Sequence, residues 1–206
     1  MNCDHLKHAL TLPNFDPVPT RLTMVPSDRA LAPPPADHRL GAVLAMFFPN
    51  DNDPNNLNVV LLKRPTTMRN HPGQIAFPGG RMDEGETFEQ TAVRETREEI
   101  GVAADHFSVI GRIDPLYIPP SRFYVHCFVA WADKRPTYTP SPAEVETILE
   151  IPHTHFLDKA NRDKSEQDFG FGKITVPYFT FEEHKIWGAT SVMLFELAHR
   201  IEIAAR

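Results

Sequence analysis

The chain has 206 residues, a formal net charge of −6, 41% apolar residues and 23% charged residues. These proportions are typical of a soluble globular protein, and the length suits one domain or one domain with a short appendage. The negative charge argues against nucleic acid as a partner, because that binding rests largely on neutralised phosphates. It does not exclude a small anionic substrate that a metal and a few local cations hold.

The sequence contains no apolar run of about 18 residues, so we expect no membrane-spanning helix and no membrane partner. The first residues lack a basic region followed by an apolar run, and we therefore expect no secretory signal. Cys3 and Cys127 are too few to imply a disulfide framework. These features favour the cytoplasm, and they leave a homodimer open as the oligomeric state.

Residues 1–38 differ in composition from the rest of the chain. Seven of the 20 prolines fall at positions 13–35. Proline fixes φ and removes a backbone donor, so this stretch is predicted to be an extended arm that wraps the domain. A short helix is predicted near residues 4–12, and a poorly ordered tail is the alternative. Residues 39–206 are predicted to form the main domain.

The sequence of the main domain predicts strands with helices between them. Four apolar segments rich in β-formers lie at residues 42–48, 57–62, 107–113 and 123–131. The first two flank a turn-forming stretch at 49–56, which predicts a hairpin, and the last two flank a proline-containing loop around 118–120. Apolar residues at helical spacing predict a helix over 188–205. The pattern indicates a layered α/β domain.

The most informative segment covers residues 77–102. Glycines at its start predict a loop with special backbone geometry. Thr87 followed by Gln90 fits a capping box, and Gly101 fits the position that ends a helix, so a helix is predicted from Thr87 to Ile100. Its core-facing positions are Phe88, Ala92, Val93, Thr96 and Ile100.

Beside that apolar stripe, Glu95, Glu98 and Glu99 are neighbours on the helix surface. Like charges at this spacing disfavour a helix by roughly 0.2–0.5 kcal/mol per pair, and partial burial adds to that cost. A compensating cation is therefore expected, and oxygen ligands favour Mg²⁺ or Mn²⁺ over zinc. The alternative is a solvated acidic face balanced by Arg94 and Arg97.

The spacing of the flanking residues decides between these alternatives. It matches eight of the nine defined positions of the pattern G-x5-E-x7-R-E-U-x-E-E-x-G-U, in which U is a bulky apolar residue. The matching residues are Gly80, Glu86, Arg94, Glu95, Glu98, Glu99, Gly101 and Val102. Thr96 is the departure, and it faces the core. This segment resembles the Nudix box, so the chain is identified as similar to Nudix hydrolases.

The resemblance implies an α/β/α sandwich with a mixed central sheet, in which the box forms a loop–helix–loop. It implies that Glu95 and Glu99 are the principal ligands of Mg²⁺ or Mn²⁺, supported by Glu98 and the Gly80 carbonyl. The metal would polarise a diphosphate and activate a water that attacks phosphorus.

Further roles in the predicted catalytic set follow from the same resemblance. Arg94 belongs to that set, and Glu86 is expected to brace it. The general base is Glu98 or a later carboxylate, either Glu144 or Glu146, and the sequence leaves these alternatives open.

Just upstream, residues 60–80 resemble the coenzyme A diphosphatase branch of Nudix hydrolases, L-L-[ST]-x-R-[SA]-x3-R-x3-G-x3-F-P-G-G. The matching residues are Arg64, Arg69, Gly73, Phe77, Pro78, Gly79 and Gly80. Leu62 and Pro65 depart from the pattern. Arg64, Arg69 and His71 are predicted to bind substrate phosphates, since the planar guanidinium suits phosphate oxygens. The alternatives are that the arginines pair with the acidic helix and that His71 only shapes a turn.

The likeness to this branch extends over most of the chain from about residue 40, including residues 114–131, 141–152 and 184–197. It implies hydrolysis of coenzyme A or acyl-CoA to adenosine 3′,5′-bisphosphate and (acyl-)4′-phosphopantetheine. Two alternatives remain: the same chemistry on another nucleoside diphosphate derivative, such as ADP-ribose or a dinucleoside polyphosphate, and a Nudix-fold module that binds a nucleotide without cutting it.

Overall fold

A computed structural model describes residues 1–26, 31, 33–68, 70–168 and 172–206. The α-helices are α1 (Cys3–Leu10), α2 (Pro17–Leu22), α3 (Phe88–Ile100) and α4 (Gly188–Ala204). The strands are β1 (Arg39–Asn50), β2 (Asp53–Lys63), β3 (Ile75–Ala76), β4 (Gly79–Arg81), β5 (Ser108–Ile118), β6 (Phe123–Trp131), β7 (Thr147–Pro152), β8 (Arg162–Asp168), β9 (Lys173–Phe181) and β10 (His184–Trp187). None of the described helices is long and apolar enough to cross a membrane.

Within the described residues, the central sheet is mixed and has seven strands. Strand β1 lies in its middle, parallel to β6 on one side and antiparallel to β2 and β4 on the other. Strand β5 pairs with β6, β7 pairs with β2, and the short β3 pairs with the end of β2. Strands β8, β9 and β10 form a separate antiparallel sheet.

Helices cover both faces of the central sheet. Alternate residues of β1 point to opposite faces. Leu44 and Met46 belong to the apolar cluster that also contains Ala92 of α3. Ala45 and Phe47 belong to a second cluster that contains residues of α4 and α1. The predicted α/β/α sandwich with a mixed central sheet is thereby confirmed.

The first hairpin extends further than the sequence predicted. The turn-forming stretch 49–56 was expected to be a loop, but only residues 51–52 form the turn, because β1 runs to Asn50 and β2 begins at Asp53. The polar residues pair across the hairpin instead: the Asn50 side-chain amide donates to Asn58 Oδ1 at 3.1 Å. A side-chain partner across the strands thus offsets the low strand propensity of asparagine.

The N-terminal segment also differs from the extended arm predicted from its prolines, because Pro17–Leu22 is helical. Asp16 accepts a hydrogen bond from the Val18 backbone at 2.9 Å, and Pro17 occupies the first turn, where no backbone donor is needed. Helix α1 buries Leu6 completely in the cluster shared with α4. Residues 27–30 and 32 lie outside the described residues, and the division of the chain at residue 38 stays a prediction.

Candidate active site

Helix α3 begins and ends at the residues that the sequence indicates. The Thr87 side chain accepts from the Gln90 backbone at 3.2 Å, and the Gln90 side chain accepts from the Thr87 backbone at 2.8 Å. Gly101 ends the helix with φ 73°, and a Cβ at this position would lie 2.6 Å from the Thr139 carbonyl oxygen. Only glycine meets both requirements without strain. The predicted capping box and the predicted helix end are confirmed.

Arg94 is the centre of a hydrogen-bonded network at the surface of α3. Its Nε and Nη2 donate to the two carboxylate oxygens of Glu86 at 2.6 and 3.0 Å. Its Nη1 donates to Glu95 at 2.9 Å and to Glu98 at 3.0 Å. The Arg94 guanidinium and the Thr91 hydroxyl lower the pKa of Glu86 to about 2. Glu86 therefore braces Arg94, as predicted.

Glu99 is the most buried carboxylate of the helix, with 2% of its surface exposed. One oxygen accepts from the Gly79 backbone N–H at 2.8 Å, and the other accepts from Arg64 Nη2 at 3.2 Å. Burial raises the pKa of Glu99 to about 7, although both hydrogen-bond donors act in the opposite direction. Sequence reasoning gave the Gly79 backbone no role; the signal was its place one residue before the box glycine.

Glu95 lies directly against the backbone of Gly80. A Cβ at Gly80 would lie 2.4 Å from Glu95 Oε1, so a side chain there would displace the carboxylate. Burial raises the pKa of Glu95 above its usual value, and Arg94 partly offsets this. Gly80 pairs with Ala42 in the β4–β1 ladder. The predicted use of the Gly80 carbonyl as a metal ligand stays a prediction.

We call Glu86, Glu95, Glu98 and Glu99 the carboxylate cluster. Within the described part of the chain, its four carboxylates are hydrogen-bonded to only two guanidinium groups, those of Arg94 and Arg64. Negative charge therefore exceeds positive charge at this site, and part of it is buried. Oxygen-only donors with a charge surplus fit a hard divalent cation such as Mg²⁺ or Mn²⁺. The residues present thus fit the predicted metal, and which cation they hold stays a prediction.

A tighter group of ligand atoms occurs elsewhere in the described residues. Ligand atoms of Glu182, Glu183 and His184 all lie within 4.8 Å of one another at the turn between β9 and β10. Both glutamates are exposed there, so water solvates their charges and no cation is required. The carboxylate cluster is less compact, since its oxygens face Arg94, Arg64 and the Gly79 N–H. Burial and charge surplus favour the carboxylate cluster as the metal site.

The two later carboxylates proposed as the general base lie in different surroundings. The loop before β7 is attached to the end of α3, because the Ser141 N–H donates to the Glu99 carbonyl at 2.8 Å. This attachment brings Glu144 close enough for its charge to raise the pKa values of Glu95 and Glu99. Glu146 instead forms an ion pair with Lys63 at 2.6 Å. The fold thus directs Glu144, and not Glu146, toward the carboxylate cluster.

The predicted phosphate-binding residues are not all described. Arg69 lies outside the described residues. Arg64 pairs with Glu99, which is the alternative that the sequence left open for it. His71 is exposed, has φ 55° and contacts the Gln74 side chain at 2.9 Å, so it shapes the turn before β3. Substrate contacts of these three residues stay predictions.

Comparison with known proteins shows which family this chain resembles. The family model of the NUDIX domain matches residues 38–169, more than half of the chain. Nudix hydrolase 22, chloroplastic, from Arabidopsis thaliana is 32% identical over 86% of this chain and 60% of its own length. Peroxisomal coenzyme A diphosphatase ndx-8 from Caenorhabditis elegans is 33% identical over 72% of this chain and 64% of its own length. The chain thus spans less than two thirds of both relatives.

The fold has counterparts among solved structures. The crystal structure of a MutT/nudix family protein from Enterococcus faecalis superposes with a TM-score of 0.55. The match covers 98% of this chain and 75% of that one, at 14% sequence identity. At this identity the likeness concerns the fold alone, and it agrees with the layered architecture described above.

Proposed function

This chain belongs to the Nudix family, and on that premise we propose that it hydrolyses a diphosphate bond with the help of Mg²⁺ or Mn²⁺. The observation that carries the proposal is the charge imbalance at α3, where the four carboxylates of the carboxylate cluster share two guanidinium groups. A partly buried surplus of negative charge is costly unless a cation compensates it. Such a site can bring a metal and a diphosphate together.

Glu95 and Glu99 are the principal ligands in this proposal, with Glu98 and the Gly80 carbonyl in support. When bound, the cation polarises the diphosphate and lowers the pKa of a water molecule. The chain itself orients the ligands in advance. The Gly79 N–H fixes one oxygen of Glu99, and Arg94 holds Glu95 and Glu98. Ligand atoms that are positioned in advance need little reorganisation during the reaction.

We assign the general base to Glu144, with Glu98 as the alternative. A base must keep an oxygen available for the proton of the attacking water. One oxygen of Glu98 accepts from Arg94 at 3.0 Å, whereas the Glu144 carboxylate forms no hydrogen bond or ion pair with any other described residue. Glu144 is also half-buried and near the two principal ligands. Its position supports the transfer of a proton from a water held at the carboxylate cluster.

We propose coenzyme A or an acyl-CoA as the substrate, cleaved to adenosine 3′,5′-bisphosphate and (acyl-)4′-phosphopantetheine. The support comes from the residues of the segment 60–80 and from a relative that is a coenzyme A diphosphatase. One of the two departures from the branch pattern has a structural explanation. Leu62 is fully buried in the core beside α3, so a side chain at this position does not face the substrate. Nothing in the structure explains Pro65.

A substrate panel tests this proposal. The full chain is incubated with Mg²⁺ or Mn²⁺ and with CoA, acetyl-CoA, ADP-ribose or a dinucleoside polyphosphate, and the products are resolved by mass. We expect adenosine 3′,5′-bisphosphate from both CoA compounds at the highest kcat/KM. Rapid turnover of ADP-ribose without turnover of CoA would contradict the assignment of CoA as the substrate. Inactivity on every compound, together with nucleotide binding, would replace the hydrolase by a binding module.

A further inference from the structure

The oxygens of Glu99 are divided between a fixed and a movable partner. The Gly79 N–H is part of the backbone at the start of β4 and cannot leave without disrupting the sheet. Arg64 is a side chain that reaches Glu99 from the segment after β2, at 3.2 Å. Its side chain is 21% exposed, whereas that of Glu99 is 3% exposed. Arg64 therefore lies between the buried carboxylate and the solvent.

Arg64 uses few of the donors that a guanidinium carries. A guanidinium has five N–H donors in a planar arrangement. Arg64 Nη2 donates to Glu99, and Nη1 contacts only the weak acceptor Sδ of Met68 at 3.9 Å. No other acceptor within the described residues contacts this side chain. Arg94, in contrast, donates through all three nitrogens to carboxylates and a carbonyl. Arg64 keeps free donors for an anion, and Arg94 does not.

We propose that Arg64 is an exchangeable counter-ion of the metal site. In the metal-free protein it neutralises Glu99, and it yields the Glu99 Oε1 atom when a divalent cation binds. It then turns its free donors to the diphosphate of the substrate. This inference rests on the proposed function, and it adds a regulation of the same site: cation and diphosphate bind in a coupled way.

The direction of the coupling follows from charge. A guanidinium beside Glu99 repels a divalent cation and competes with it for a carboxylate oxygen, so Arg64 weakens cation binding when no anion is present. With a diphosphate bound, the same guanidinium has a partner of opposite charge. Linkage then requires that the diphosphate strengthens cation binding as much as the cation strengthens diphosphate binding. Without Arg64, most of this coupling should disappear.

Calorimetric titration of the full chain with Mn²⁺, without substrate, tests the first part. We expect Arg64→Gln to bind Mn²⁺ about tenfold more tightly than the wild type, because a nearby positive charge is gone. Lys63→Gln is the matched control. It removes one positive charge from the adjacent residue, whose partner is Glu146 at 2.6 Å, and should change the affinity by less than about twofold. Equal or weaker Mn²⁺ binding by Arg64→Gln would overturn the inference.

The second titration adds saturating methylenediphosphonate, a diphosphate analogue that cannot be hydrolysed. After correction for the Mn²⁺ that the free diphosphonate chelates, the affinity of the wild type for Mn²⁺ should rise about tenfold or more, and that of Arg64→Gln by less than about threefold. Equal gains in both proteins would contradict the exchange. Should Arg64→Gln fail to fold, Arg64→Lys replaces it. This variant keeps the charge but loses the planar fork, so it should bind Mn²⁺ as the wild type does and gain less from the diphosphonate; a full wild-type gain would contradict the exchange.

Neither titration depends on turnover, so the exchange of Arg64 and the proposed hydrolysis are tested independently of each other. Coupled binding without hydrolysis of any diphosphate would contradict the proposed function and leave the exchange intact. Hydrolysis of CoA by a protein in which Arg64→Gln leaves Mn²⁺ binding and its coupling unchanged would overturn the exchange alone.

Discussion

Two groups of buried charges in this protein have opposite balances. At α4, Glu196 is fully buried, and its two oxygens accept from Arg21 and Arg200 Nε, the latter at 2.8 Å. One carboxylate there has two arginines, whereas the four carboxylates of the carboxylate cluster share two. Arg21 also donates to two backbone carbonyls within β5, those of Asp114 and Pro115. Each oxygen of Glu196 thus has a guanidinium partner, whereas negative charge is in excess at the carboxylate cluster.

This difference separates a structural ion network from a functional one. The buried network around Glu196 ties α2 to α4, because Arg21 lies on α2 and Glu196 and Arg200 lie on α4. A site with surplus charge stores an unfavourable interaction that a ligand relieves, which is a cost in stability that active sites commonly carry.

Glu196→Gln should have the largest effect on stability. The substitution leaves Arg21 and Arg200 buried without a counter-charge, and breaking a buried ion pair in this way costs about 3–5 kcal/mol. The measurement is the free energy of unfolding from denaturant titration. Glu202→Gln is the matched control, since Glu202 lies on the same helix and pairs with Arg206 at an exposed position. If both variants lose equally little stability, the group around Glu196 is not structural.

Glu99→Gln should abolish most of the activity. The amide keeps the volume but cannot neutralise a metal, so kcat should fall at least about a hundredfold, which corresponds to about 2.7 kcal/mol. Steady-state kinetics with CoA and Mg²⁺ measures the change. Glu89→Gln, at an exposed position of the same helix, should leave kcat near the wild-type value. A near-native rate of Glu99→Gln would remove this residue from the metal site.

Glu144→Gln tests whether the surplus charge extends to the loop before β7. As the proposed general base, Glu144 should contribute about a hundredfold to kcat, at the lower end of the range for such groups. Glu146→Gln, two residues away and paired with Lys63, should have little effect. A larger loss of kcat in Glu146→Gln than in Glu144→Gln would assign the general base to Glu146. A large loss in Glu98→Gln with none in Glu144→Gln would assign it to Glu98.

The smallest expected effect is on the pH dependence of stability. Glu99→Gln should raise the free energy of unfolding at high pH, whereas Glu196→Gln should lower it. The pKa of Glu99 rises from 4.5 to about 7 on folding, so the folded state binds more protons than the unfolded state between these values. Stability linked to Glu99 is therefore present below pH 4.5 and lost as pH rises through about 7. In EDTA at pH 8, Glu99→Gln should be more stable than the wild type by about 1 kcal/mol or more. The gain should vanish near pH 4.5; a loss of stability at pH 8 would contradict the charge surplus.

The sequence allowed accurate prediction of local features. Thr87, Gln90 and Gly101 mark the ends of α3 because capping is a contact between residues a few positions apart. The neighbourhood of Glu95, Glu98 and Glu99 follows from helix geometry in the same way. Features that depend on distant parts of the chain could not be predicted. The pairing of Arg64 with Glu99 joins positions 35 residues apart, and Glu144 reaches the site only through the attachment of its loop to the end of α3.

The contacts of the N-terminal arm, residues 1–38, could not be predicted for the same reason. Glu196 and Arg200 are visible as an i, i+4 pair, but only the folded chain brings Arg21 to them across 175 positions of sequence. The prolines of the arm suggested an extended chain, and the capping of α2 by Asp16 outweighed them. The intrinsic conformational propensities of residues do not predict the tertiary contacts that decide whether such a segment packs on the domain.

The need of the carboxylate cluster for a cation can be measured without any substrate. Calorimetric titration with Mn²⁺ is carried out on the wild type, Glu99→Gln and Glu89→Gln, with all three proteins first stripped by EDTA. We expect a saturable binding event in the wild type and in Glu89→Gln. Glu99→Gln should weaken it by about a hundredfold or more, because a principal charged ligand is lost. Equal Mn²⁺ affinity in Glu99→Gln and the wild type would contradict the assignment of the metal site to α3.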